Sequence, residues 1–128
     1  NRPWQHVLEP LNGYLILAER LYELSSSDDY EEFNFGPNIC SNKTVLNLVQ
    51  EVLKHWPGEW QSVKNDNDLH EANNLHLQSE KAFKLLGWEP KWNFEKTILK
   101  TISWYKNVIN GEDAYKNCKI NIEEYFSQ

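Results

Sequence analysis

Five chemically capable side chains crowd the first nine residues, NRPWQHVLE: Arg2, Trp4, Gln5, His6 and Glu9, directly ahead of an apolar pattern of helical period. A guanidinium offers a planar fork of donors that matches the oxygens of a diphosphate, so Arg2 is a candidate phosphate clamp. A second pair, His70-Glu71, lies beyond a polar run. An ionised carboxylate has two acceptor oxygens and suits the vicinal hydroxyls of a ribose or hexose. The plainer reading of both is solvation, the usual state of an Arg near a chain end or a Glu in a loop.

Other chemistry is poorly supplied. His70, Glu71 and His76 share residue types with the zinc helix H-E-x-x-H, but a separation of six puts the two histidines about 120° apart around a helix, on different faces. Asn73-Asn74 between them is poor helix material, so no metal site is expected. The five glycines, at 13, 36, 58, 87 and 111, are isolated and make no phosphate loop, and there is neither a G-x-S-x-G nor a convincing Cys/His pair. No complete catalytic apparatus is expected in this chain. Cys40 and Cys118 are far apart and read as reduced, incidental thiols. The glycosylation triplet Asn42-Lys43-Thr44 is a pattern that arises often by chance.

These side chains need a scaffold. With 128 residues, 40% hydrophobic, six Trp, six Tyr and five Phe, the chain can bury the core of one domain. A net charge of −6 without a basic run argues against nucleic acid or an anionic membrane as partner. No stretch approaches the roughly 18 apolar residues of a membrane span, and a cytoplasmic location is expected. The lack of any methionine leads us to expect a piece of something longer.

The periodicity predicts a helix over about 9–24, with Leu11, Tyr14, Leu15, Ala18, Leu21 and Tyr22 as its apolar stripe and Asn12, Glu19, Arg20 and Glu23 as its polar back. Residues 25–29 break it, 32–35 alternate like a short strand, and Gly36-Pro37-Asn38 turns. A second helix, about 44–56, has Thr44 as N-cap and Pro57-Gly58 as its stop. A brief strand is expected at 60–63 and a loop at 64–68. Ser79 should cap a third helix with Ala82, Phe83 and Leu86 inward and Gly87 as its left-handed end. Asn93 should cap a fourth, striped by Ile98, Leu99, Ile102, Tyr105 and Ile109, and residues 120–126 should add one or two turns. Trp88, Trp92, Phe94, Trp104 and Tyr105 fit packing better than sugar stacking, and Glu95, Lys96, Lys100 and Lys106 read as a solvated face.

The succession RPWQHVLEPLNGYLILAERLYE, FNFGPN, HEANNLHL and SEKAFKLLGWEPKWNFEKTILKTISWYKN resembles the C-terminal part of extended short-chain dehydrogenase/reductases that act on nucleotide sugars. It runs from Arg2 to Tyr125. The KA…LGW.P element is common to that superfamily, whereas RPWQHVLEP and HEA are most similar to the CDP-glucose 4,6-dehydratase family. The resemblance implies an α/β fragment, mostly helical with a few short strands, forming over 1–128 the nucleotide-sugar-binding lobe of an extended Rossmann-type enzyme. It implies an upstream NAD-binding domain with a Gly-rich fingerprint and a Tyr-x-x-x-Lys pair, neither of which this chain contains. Catalytic residues and NAD would then belong to the upstream part, and the fragment alone would be inactive.

The family's reaction takes a hydride from sugar C4 to NAD, eliminates water across C5 and C6, and returns the hydride to C6, giving a 4-keto-6-deoxy sugar for deoxysugar and surface polysaccharide synthesis. By resemblance Arg2 lies near the diphosphate, Trp4 and His6 shape the crevice wall, and Glu71 with His70 holds nucleotide hydroxyls of CDP-glucose. The full-length enzyme is expected to be a homo-oligomer. Two departures stand out: the common H-V-x-D reads His6-Val7-Leu8-Glu9, which agrees with the CDP-glucose branch, and L-D-x-S-K-A reads Leu77-Gln78-Ser79-Glu80-Lys81-Ala82. The second loses an Asp whose capping Ser79 is expected to take over. Another nucleotide-sugar dehydratase, an epimerase, and a stand-alone interaction module with no ligand remain open alternatives.

Overall fold

The computed structural model describes residues 1–23, 32–63 and 75–127. Among them the order is β1 (Arg2–Pro3), α1 (Leu8–Glu23), a 3-10 turn at Ile39–Ser41, β2 (Asn42–Lys43), α2 (Val45–His55), α3 (Glu80–Leu86), α4 (Phe94–Ile109) and α5 (Ala114–Phe126). The balance is mostly helical, as the sequence suggests. The small sheet is antiparallel, with Arg2 opposite Lys43 and Pro3 opposite Asn42. The break at 25–29 and the loop at 64–68 fall outside the described residues.

Local signals set most helix ends. Thr44 and Asn47 form a reciprocal capping box at the start of α2, with Asn47 N donating to Thr44 Oγ1 at 3.1 Å and Thr44 N to Asn47 Oδ1 at 3.2 Å. At its other end the carbonyl of His55 accepts from Lys106 Nζ at 3.1 Å, a cation placed where the helix dipole is negative. Asn93 caps α4 through Lys96 N, and Gly87 ends α3 at φ 64, a conformation that costs a residue without Cβ little.

Five expectations fail. Residues 32–35 and 60–63 form no strand. The first of these segments is held instead by side chains, because Gln5 Nε2 donates to Phe35 O at 2.9 Å and Ser79 Oγ donates to Gly36 O at 3.3 Å. Ser79 therefore makes no side-chain cap; at φ −103, ψ 11 it lacks the extended backbone that aims a hydroxyl at the first helical amides. Ala82 is buried as expected, but Phe83 on the same helix is exposed. The tail is a full helix, α5, longer than the one or two turns expected, and Asp113 caps it by accepting from Lys116 N at 2.7 Å.

The largest correction concerns α1. Its inner face is Glu9, Gly13, Ile16 and Leu17; the stripe from Leu11 to Tyr22 that the periodicity singles out is exposed, Tyr22 by 92% and Leu15 by 65%, and reaches the core only where the Tyr14 ring packs on Phe35. The core on the inner side is Phe35, Ala82 and Trp88, flanked by Ile16, Leu17, Phe33 and Leu86. Gly13 is there because a Cβ would lie 2.4 Å from the Phe35 ring. A second aromatic cluster, Trp92 with His6 and Tyr125, joins the chain's start to its last helix.

Candidate functional site

The segment between β1 and α1 is pinned residue by residue. Trp4 donates twice across the sheet, from its backbone to Ser41 O at 3.3 Å and from Nε1 to Lys43 O at 3.1 Å. Gln5 reaches Phe35, as above. His6 is buried, packs on Trp92 with ring centroids 4.7 Å apart, and accepts from Leu8 N at Nδ1, which leaves the ring proton on Nε2. Burial, and secondarily the nearby Lys100 ammonium, lowers its pKa to about 4, so the ring is neutral near pH 7.

His6 forms part of the wall of a groove of about 580 Å³ between this segment, α4 and α5. Leu8, Leu11, Trp104, Tyr105 and Ile122 give the groove its apolar walls, and Gln5, Thr101, Cys118 and Asn121 add polar atoms. Trp104 Nε1 donates to Cys118 Sγ at 3.3 Å. An uncharged donor on an apolar wall can orient a ligand or exclude water, but it is a poor proton carrier near neutral pH.

Arg2 is elsewhere. It sits half-exposed on β1, outside the lining of the His6 groove, and its Nη1 donates to Asn1 O at 3.2 Å. The same carbonyl accepts from Leu75 N at 3.4 Å, and Asn42 Nδ2 donates to Leu75 O at 3.2 Å, so the chain at 75 returns to the side of β1 that carries Arg2. His70 and Glu71 lie outside the described residues. Trp88, Trp92 and Phe94 are core, while Trp104 and Tyr105 face the groove.

The sequence singles out Glu9 without a role, and the structure shows it tying the start of α1 to residues 88–92 and to α5. The Glu9 carboxylate is fully buried and accepts from Trp92 N at 2.8 Å, Lys91 N at 3.1 Å and Tyr125 OH at 2.7 Å, while its carbonyl accepts from Trp88 Nε1 at 3.2 Å. Burial, the hydrogen bond to Glu9 and the charge of Glu9 all push the Tyr125 phenol upward, keeping it a donor. Phase gave no clear signal, since on a helix Glu9 lies as near Arg20 of the polar back as Ile16 of the inner face. The stripe read as solvated is also partly engaged, since Lys96 and Lys100 both pair with Glu124 of α5 and Lys96 lies over the Trp92 ring.

No family model matches the chain. The chain is 40% identical over 128 residues to the CDP-glucose 4,6-dehydratase of Salmonella typhimurium, a match that covers 98% of this chain and corresponds to that protein's C-terminal part. It is 30% identical over 108 residues to the dTDP-D-glucose 4,6-dehydratase of Mus musculus, covering 79% of this chain. The chain spans only about a third of the length of either relative, 35% and 30% respectively. Among the described residues no helix is long and apolar enough to cross a membrane, and no cluster of metal-ligating side chains occurs.

Proposed function

We propose that this chain is the nucleotide-sugar-binding portion of a longer, NAD-dependent nucleotide-sugar 4,6-dehydratase whose substrate is CDP-glucose. The observation that carries the reading is the 40% identity running through nearly the whole chain to a CDP-glucose 4,6-dehydratase. The weaker match to a dTDP-glucose enzyme supports the reaction class rather than the base. The net reaction is loss of one water from CDP-D-glucose to give CDP-4-dehydro-6-deoxy-D-glucose.

The glycines do not make the Gly-rich loop that NAD requires: all five are isolated in the sequence, Gly13 lies against Phe35, Gly87 ends α3, and Gly111 stands alone in the turn from α4 to α5. The cofactor and the catalytic acid and base are assigned to the remainder of the longer protein. What this chain supplies is binding. Arg2, on the sheet edge, donates to the diphosphate, and His6, neutral and clamped, shapes the wall of the separate groove between α4 and α5. His70 and Glu71 hold nucleotide hydroxyls.

The test is incubation of the longer protein with CDP-, dTDP-, UDP- and GDP-sugars, read by mass spectrometry. Loss of one water, fastest for CDP-glucose, is the expected result; a product of unchanged mass would mean epimerisation. Binding of none of the four would favour an interaction module instead. In that protein, Arg2→Ala should raise KM about tenfold or more with kcat little changed, because a ground-state phosphate contact is lost; an unchanged KM removes Arg2 from the diphosphate site.

A further inference from the structure

The helix α1 is apolar on two opposite sides. Gly13, Ile16 and Leu17 meet the core, while Val7, just ahead of the helix, and Leu11, Tyr14, Leu15, Ala18, Leu21 and Tyr22 make a second, exposed stripe that touches the core only where the Tyr14 ring meets Phe35. These seven fall within a band about 120° wide at 100° per residue, the width of a core-facing helix surface. A helix with two such faces is at home between two layers, not on the outside of one. A contiguous apolar stripe over four turns is also more than isolated exposed side chains account for.

We propose that this outer face of α1 is an internal packing surface, covered by an apolar layer of the longer polypeptide that lies outside this chain. The proposal rests on the reading of the chain as part of a longer enzyme. Two observations favour that occupant over a second copy of the chain. Roughly two thirds of the length of the similar dehydratases has no counterpart here, enough to supply a whole layer. The stripe also runs into the candidate site, since Leu11 and Val7 belong both to it and to the groove walled by His6, Trp104 and Tyr105. A layer seated on α1 therefore closes one side of the groove, bringing the other part of the protein to the wall where His6 stands. A copy docked there would instead shut the groove against the enzyme's own remainder.

The experiment is hydroxyl-radical labelling of the longer protein, with Tyr14, Leu15 and Tyr22 followed by peptide mass spectrometry in the native state and in guanidinium. Protection of all three by about tenfold or more, unchanged on dilution to a monomer seen by light scattering, is the expected result. Weaker protection overturns the proposal, and so does protection that disappears on dilution, which would assign the face to a second copy. Water loss from CDP-glucose is assayed on the same sample. Protected residues in a protein that does not dehydrate the sugar would leave the interface standing and remove the functional reading. Labelled residues in an active protein would do the reverse.

Discussion

At the scale of single residues, two buried polar groups govern how this chain responds to change. Glu9 has its oxygens occupied by two backbone amides and one phenol. Glu9→Gln turns an amide NH2 toward donors and should lower stability by about 1–3 kcal/mol, read as a fall in the urea midpoint. Tyr125→Phe removes one donor and should cost less, because Glu9 keeps its backbone partners. His6 sets a pH response of definite sign. Its folded pKa lies near 4, below its unfolded value, so the unfolded chain binds the extra proton between about pH 6.5 and 4. The stability that His6 contributes is complete above that window and is lost as pH falls through it. Urea midpoints measured from pH 7 to 4 should drop with a one-proton component that His6→Gln abolishes.

At the scale of elements, close approach and capping decide the outcome. Gly13→Ala drives a methyl into the Phe35 ring inside a core that also holds Trp88, and should destabilise by about 1–3 kcal/mol even though alanine is the better helix former; thermal unfolding measures it. Caps were legible in the sequence because they are local: Thr44, Asn93 and Gly87 act on residues within a turn of themselves. The orientation of α1 was not legible, since periodicity finds an apolar stripe without saying which of two stripes meets the core. The length of α5 was hidden by its weak apolar pattern, although Asp113 behind Gly111 marked its start. Ser79 shows the limit of motif reasoning: the right residue at the right place spends its hydroxyl on Gly36 because the backbone there is not extended.

At the scale of the whole molecule, the connections are long. Trp88 touches Phe35 with its ring and Glu9 with its indole N–H, so it joins three separate segments. Trp88→Ala should cost about 3–5 kcal/mol and lower the unfolding transitions followed by far-UV circular dichroism and by tyrosine absorbance together, as expected when one shared core fails. The candidate site was half legible for the same reason of range. Arg2 and His6 were visible as residue types in a short run. Their separation onto a sheet edge and into a groove depends on partners such as Ser41, Lys43 and Trp92, which no local pattern reveals.

The bond from Tyr125 to Glu9 closes 116 residues of chain. A ribosome making this polypeptide releases Glu9 long before the phenol that completes its surroundings. Until α5 emerges, the carboxylate has at most part of its donors, and burying it incompletely paired is costly. The helix that starts at Leu8 thus takes its seat in two steps, first when the backbone amides of Lys91 and Trp92 reach Glu9 and then when the phenol of Tyr125 adds the last donor.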